Sequence, residues 1–283
     1  MSSHYNVIGG GRIGGLLAGI DNGQLIRRGD PMVLTAGPII ICTRNDDLRP
    51  VLEQLPGMNA WWDGGSVPPR ASDLVFVQNG MLEAFFEEAQ LSESSGIQVT
   101  KALLYFAVST RGAEPVDGGR SVVTGPQAQA VAELLAQANL RCTVVDAERY
   151  QLEMVEKYLW NCVFGLLCQR YECTVGEVVE RHRESIAALI DEMLDQLEQA
   201  ALDWSFPENL SVRSATCTAE RAELVERMCE YSVSIAAYRG AVKEWQWRNG
   251  YLWDRSADKR NGTRVSIHGQ LLQAVVPELI ASS

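Results

Sequence analysis

Residues His4 to Gly19 read HYNVIGGGRIGGLLAG. Three of the glycines, Gly9, Gly11 and Gly14, stand in G-x-G-x-x-G spacing, after the apolar run Val7-Ile8 and before a helical pattern of Ile13, Leu16 and Leu17. Each has a physical use. The first allows the tight strand-to-helix turn, the second lets a pyrophosphate approach the backbone, and the third lets the helix pack close to the strand. The bound anion would meet N–H groups at the helix start, which adds Arg12 and Ile13 to the candidate cofactor contacts. The motif alone leaves open a glycine turn in some other α/β domain.

Outward from this loop, the first half alternates short apolar runs with helical patterns, as in a parallel sheet with crossover helices. A second strand is expected over Gln24 to Ile26, ending at Arg27 and Arg28. The residue at that strand tip meets the adenosine ribose, and arginine there favours a 2′-phosphate over a bare hydroxyl. NADP(H) is therefore preferred to NAD(H), the alternative being two solvated arginines on a surface turn. Pro38 to Cys42 is a continuous β-branched run suited to a strand covered on both faces. Thr43 and Arg44 follow it, Asp46 offers an N-cap, and a helix is expected over Asp47 to Leu55. Asn59 to Ala71 reads as a loop and Asp73 to Val77 as a strand whose exit is Gln78-Asn79-Gly80. Ligands of open parallel sheets lie beyond the carboxyl ends of the strands, so Thr43, Arg44 and Asn79 should border the crevice. Leu103 to Val108 and Ser121 to Thr124 are expected as further, antiparallel strands, followed by a helix over Gln127 to Gln137 and a strand over Arg141 to Val145.

Past about Tyr150 helical periodicity takes over, through Gln151 to Cys168, Ile186 to Leu202, Ala219 to Tyr238 and Gly240 to Arg255. The expected fold class is α/β, with a Rossmann-type dinucleotide-binding domain over residues 1–148 and an all-helical domain over 149–283. The acidic stretch Asp191 to Glu198 places Met193 and Leu197 on one ordinary amphipathic face.

A length of 283 residues, 46% of them hydrophobic, supports two domains and excludes disordered and fibrous classes. The formal charge of -11 argues against nucleic acid or an anionic membrane as partner, and a phosphorylated cofactor has to find locally positive groups. With no membrane-length apolar run and no signal-like start, a cytoplasmic location is expected. Seven cysteines without metal-ligand spacing read as reduced thiols, and the three histidines, His4, His182 and His268, form no recognisable metal or catalytic set.

Five islands in order resemble the ketopantoate reductase (2-dehydropantoate 2-reductase) family. They are the glycine loop; Thr43-Arg44; Gln78-Asn79-Gly80; Lys157-x-x-x-Asn161-Cys; and Ser232, then Glu244, then Asn249-Gly250-Tyr251-Leu252. The resemblance implies an N-terminal Rossmann domain, a helical C-terminal domain and NADPH-dependent reduction of a 2-oxo acid. Lys157 would then be the general acid, its ammonium protonating the carbonyl oxygen as charge builds there, with its pKa lowered by burial. Asn161, one helical turn on, would fix that lysine or hold a substrate hydroxyl. Glu244 would hold Lys157 or accept from a hydroxyl, Ser232 would donate to a substrate carboxylate, and Asn79 would line the nicotinamide and the substrate. Other readings of the same side chains are a surface Lys157 paired with Glu153 or Glu156, and a solvated Glu244.

The chain also departs from that family. Gly165 stands where a second asparagine is usual, Val155 where a tryptophan is, and Ala236 where an aspartate is, and the segment before Pro38 is short. These changes put the pantoate-specific contacts in question. Trp245, Trp247 and Trp253 are candidates to wall a more apolar pocket or simply to pack the helical core. The leading expectation is an NADPH-dependent reductase of a small 2-oxo acid or ketone, with a homodimer compatible. The alternatives are a catalytically silent NADP(H)-binding regulatory or scaffold protein and, less well matched by Lys157, Asn161, Ser232 and Glu244, an opine or β-hydroxyacid dehydrogenase.

Overall fold

The structure is a computed structural model that describes residues 4–21, 23–57, 70–92, 95–108, 110–201, 205–263 and 265–282. Of the expected loop Asn59 to Ala71, residues 59–69 lie outside the described residues; Ala71 opens a 3-10 turn, Ala71–Asp73. The chain divides into two units, Met1–Asn79 with Glu83–Glu153 and Gly80–Leu82 with Met154–Ser283.

The first unit is built on β1 (Tyr5–Ile8), β2 (Gly23–Ile26), β3 (Ile39–Ile41), β4 (Leu74–Phe76), β5 (Thr100–Leu103), β6 (Phe106–Ala107), β7 (Val116–Asp117), β8 (Ser121–Thr124) and β9 (Cys142–Val144). Seven of them form one sheet in the order β2-β1-β3-β4-β5-β8-β9, parallel except where β5 meets β8. The β-branched run explains the centre of this sheet. Ile39, Ile40 and Ile41 are all at most 1% exposed, as strands covered on both faces must be. The register aligns Val7 with Ile40 and Ile40 with Val75, and this row meets Val131, Leu134 and Leu135 of the helix Ala128–Gln137 in one core. Each such side chain contributes about 1.5–3 kcal/mol on burial. Strand order reverses between β1 and β3, the place where open α/β sheets leave a crevice at their carboxyl ends.

Two local expectations are corrected. The strand placed over Leu103 to Val108 ends in the main sheet at Leu103, and β6 pairs with β7 in a separate ribbon. The Tyr105 N–H donates to the Ser121 hydroxyl at 2.8 Å instead of a ladder carbonyl, which turns the chain out of the sheet. Asp46 is not at the N-cap position: it lies inside the 3-10 turn Asn45–Asp47, and the helix that follows runs over Leu48–Glu53 with Asp47 at its N-cap and no side-chain cap bond.

In the second unit the helix Arg183–Ala200 is the hub, in contact with the helices Val175–Arg181, Cys217–Ser234, Asn249–Arg255 and Ile267–Val275. Ile186, Leu189, Ile190, Met193, Leu194 and Leu197 follow the i, i+3, i+4 recurrence of a buried stripe and are all fully enclosed. The 25-residue helix Ala147–Tyr171 is apolar nearly all round between Met154 and Cys168, the pattern of a core helix. The division between the units falls inside it, after Glu153.

The expected helix over Gly240 to Arg255 is not continuous. The chain leaves the helix Cys217–Ser234, runs irregularly to Lys243, makes a 3-10 turn at Trp245–Trp247 and becomes helical again at Asn249–Arg255. Backbone contact with the long helix is the cause. A Cβ on Gly240 would lie 2.8 Å from the Phe164 carbonyl oxygen, and one on Gly165 would lie 2.8 Å from that of Ala241. The Val242 N–H is then taken by Gln169 Oε1 at 2.8 Å, so this strip has no free geometry in which to coil. Ser232 lies in the helix Cys217–Ser234, within the helix expected for it, whereas Glu244 lies outside any helix, just before the 3-10 turn Trp245–Trp247.

Candidate functional site

In the first unit the glycine loop has the geometry its spacing implies. Gly9 adopts φ +113, and a Cβ there would lie 2.8 Å from the Cys42 carbonyl oxygen at the end of β3. A Cβ on Gly14 would lie 1.9 Å from the Gly9 oxygen, so only glycine lets the helix close on the strand. Gly11, by contrast, has nothing within 4 Å of its Cβ position, which leaves one side of the loop open to an approaching group. Ile13 packs on the sheet core and Arg12 Nη1 donates to the Val108 carbonyl at 3.1 Å. The Arg12 guanidinium thus ties the loop down, and Ile13 offers a ligand its backbone only.

The strand tips gather positive charge. The stem of Arg27 crosses the loop, its Cγ 3.2 Å from the Cβ position of Gly10, while its N–H donates to Asp30 at 2.8 Å and closes the turn. Arg28 Nη2 lies 3.0 Å from both oxygens of Asp47, and Arg44 Nε lies 3.9 Å from the same carboxylate. Beside them, three buried side-chain atoms have no hydrogen-bond partner: Thr43 Oγ1, Gln78 Oε1 and Asn79 Oδ1. Such atoms cost about 1–3 kcal/mol each and call for an explanation, for which a ligand is one. Gln78 Nε2 donates to the carbonyls of Ile41 and Thr43, and Asn45 Nδ2 to that of Asn79 at 2.7 Å. In the sequence Gln78 stands out as a strand exit and as part of the Gln78-Asn79-Gly80 island, whereas Asn45 has no assigned role and Asp47 only opens an expected helix. Their position at strand tips was the available signal.

In the second unit Lys157 is 9% exposed and is therefore no surface lysine. Glu153 bonds Arg120 and Arg149, and Glu156 bonds Arg227 at 3.1 Å. Asn161, on the same helical face, donates its Nδ2 to the Lys157 carbonyl at 2.8 Å. Ser232 is fully enclosed; its hydroxyl donates to the Met228 carbonyl at 2.8 Å and accepts from Trp160 Nε1 at 2.9 Å. Glu244 has left-handed backbone at φ +47 and pairs with Arg248 at 2.6 Å, a residue the sequence reading did not single out. The Tyr158 hydroxyl donates to the Arg248 carbonyl at 2.8 Å. The Gly80–Leu82 segment docks against this same turn: Met81 N–H donates to the Trp247 carbonyl at 2.9 Å, and a Cβ on Gly80 would lie 2.5 Å from that oxygen.

The departures from the family pattern have steric reasons. Gly165 is where the backbone of Ala241 crosses the helix, so no asparagine fits without displacing that strip. Ala236 faces Gly176, whose added Cβ would lie 2.7 Å from the alanine methyl, and the Ala236 carbonyl accepts the Gly176 N–H at 3.1 Å. Val155 is fully enclosed. Of the three tryptophans, Trp253 is core at 1% exposure, while Trp245 folds over Gly250, with Nε1 2.7 Å from its Cβ position. Asn249 is buried and held by His268 Nε2 at 3.0 Å. Burial pushes the His268 imidazole down to about 4, with the Asp258 charge opposing.

Residues 149–267 match the family model described as ketopantoate reductase PanE/ApbA C terminal. No curated protein sequence matches the chain. Among solved structures, D-mandelate dehydrogenase in complex with NADH is similar at TM-score 0.63 and 14% identity, over 99% of both chains. A probable 2-dehydropantoate 2-reductase from Bacillus subtilis is similar at TM-score 0.62 and 12% identity, over 99% of both chains. A dimeric ketopantoate reductase from Staphylococcus aureus reaches 0.61 and 14%, again over 99% of each. These likenesses establish the two-part fold of a Rossmann-like sheet followed by a helical region. The family match covers residues 149–267, and the solved structures, at 12–14% identity, share the fold.

Proposed function

We propose that the protein is an NADPH-dependent reductase of a small 2-oxo acid or ketone, with 2-dehydropantoate among the candidate substrates. Residues 1–148 would hold the cofactor and residues 149–283 the substrate. The observation that carries this reading is Lys157, an almost fully buried lysine on the helix that opens the ketopantoate reductase C-terminal match, with Asn161 on the same face. A buried ammonium is retained only at a cost, and placing it where an alkoxide develops gives that cost a purpose.

The residues of the first unit fit the cofactor. Gly11 leaves the loop open, Arg28 and Arg44 lie against the single carboxylate of Asp47, the stem of Arg27 crosses the loop at Gly10, and Thr43 Oγ1 and Asn79 Oδ1 lack partners. The arginines would take a 2′-phosphate, Gly9, Gly11 and Gly14 the pyrophosphate, and Asn79 Oδ1 an amide donor. When bound, a reduced nicotinamide supplies hydride to the carbonyl carbon. Lys157 holds and then gives up the proton that the carbonyl oxygen takes. Asn161 keeps the lysine's turn of helix in place through its bond to the Lys157 carbonyl and can present Oδ1 to a hydroxyl.

A second reading, NADP(H) binding without turnover, draws support from Ser232, whose hydroxyl proton is spent on its own helix. One experiment separates the two: a panel of 2-oxo acids and ketones with NADPH, consumption read optically, on the wild type and on Lys157→Ala. The expected result is turnover by the wild type and a loss of about 10²–10⁴ in kcat for the variant, with NADPH affinity held within about twofold. Full turnover by Lys157→Ala would remove Lys157 from its role, and no turnover on any carbonyl compound would favour the second reading.

A further inference from the structure

We propose that Arg248 binds the carboxylate of the substrate and so makes the protein prefer 2-oxo acids to uncharged ketones; the inference rests on the reductase reading and gives it a substrate class. The Arg248 side chain is 11% exposed and pairs with Glu244 at 2.6 Å. That bond uses Nη2, while Nε, out of solvent, has no hydrogen-bond partner. Three residues earlier the indole Nε1 of Trp245 is likewise buried and without a partner. Two unmet donors on one short turn describe a place that lacks an acceptor.

The position of the turn relative to the long helix follows from the hydroxyl of Tyr158, which donates to the Arg248 carbonyl at 2.8 Å. Arg248 also lies close enough to Cys162 for its charge to oppose the upward push of burial on that thiol. Tyr158 and Cys162 are the immediate chain neighbours of Lys157 and Asn161. The guanidinium therefore sits at the level of the helix where the proposed acid stands. Its planar fork matches a carboxylate in a way a lysine does not. Ser232, the hydroxyl expected from the family pattern to meet the carboxylate, donates to Met228 instead, which leaves that contact to another donor.

The test uses the full chain with NADPH and oxamate, a non-reducible isostere of a 2-oxo acid, followed by calorimetry. Arg248→Met is expected to weaken oxamate by about 10- to 100-fold, with NADPH affinity within about twofold of the wild type. On any oxo acid the protein turns over, KM should rise while the rate on its methyl ester stays within about threefold. Arg248→Lys should recover only part of the oxamate affinity, because it keeps the charge and loses the fork. If Arg248→Met fails to fold because Glu244 is left unpaired, the pair Glu244→Gln with Arg248→Met carries the same measurement. Oxamate bound equally by a folded variant and the wild type overturns the proposal, as does an equal fall in oxo acid and ester turnover. Since oxamate binding needs no turnover, it separates failure of the Arg248 assignment from failure of the reductase reading.

Discussion

Asp47 decides how much of the positive charge at the strand tips is available to a ligand. Arg28 and Arg44 both lie against it, and the Arg28 pair is exposed, so each contact is worth little on its own and can be exchanged for a phosphate. Asp47→Asn is therefore expected to tighten NADPH by about threefold to tenfold and to leave NADH unchanged, because it removes the carboxylate that competes with a 2′-phosphate. Arg27→Ala and Arg28→Ala should weaken NADPH at least about tenfold and NADH by less than about twofold. Equal losses for the two cofactors, measured by fluorescence titration, would exclude a 2′-phosphate role. The arginines were legible in the sequence because strand periodicity placed them at a tip. Asp47 was not, since it sits on a different segment and meets Arg28 only through the parallel pairing of β2 and β3 with β1.

The elements of the second unit were legible where a helix is amphipathic and closed to the reader where backbone contact sets the shape. The buried stripe of Arg183–Ala200 stands in its sequence as apolar residues at helical spacing. The break between Ser234 and Asn249 does not, because residues 240–255 have helix-compatible composition, and the cause lies 75 residues earlier, at Gly165. A contact of glycine with a crossing backbone leaves no periodic trace. Gly165→Asn, which would restore the residue usual in the family, is accordingly expected to destabilise the protein by about 1–3 kcal/mol. Urea unfolding checks this; a variant as stable as the wild type would mean that the crossing strip yields. Gly165→Ala tests the contact alone and should lose a similar amount.

At the scale of the whole molecule, acid stability is expected to depend on one enclosed polar cluster. His268 is buried and its folded value lies at about 4, below the ordinary 6.5. Its neutral form is thus favoured by the fold, and the unfolded chain takes up the proton first. The contribution is fully present above pH 6.5, falls as pH drops below it, and is exhausted near pH 4, a loss of about 3 kcal/mol. Asp258 acts lower down. Desolvation pushes its carboxyl up, yet bonds from the Ser266 hydroxyl, from the Ser266 and Val265 N–H groups and from the Thr263 hydroxyl bring it down to about 2. Its contribution is present above pH 3.8 and is lost as pH falls through about 2. Melting temperature should therefore fall in two steps, and His268→Gln should flatten the upper one while leaving the lower. A variant that keeps the full decline between pH 6.5 and 4 would assign that decline to other groups.

By itself the sequence determined the architecture of the first unit, its glycine loop, the charge at its strand tips and the buried faces of the helices. Those properties are written in residues close along the chain, where a period of two or of 3.6 and the freedom of glycine act locally. The tertiary structure alone decided which partner each polar side chain takes. Ser232 turns its hydroxyl back on its own helix, Glu244 holds Arg248, and Asn45 reaches the Asn79 carbonyl. Such pairings join residues that helix breaks and strand order bring together, and a hydrogen bond is selected by distance and direction in space, neither of which a one-dimensional pattern contains.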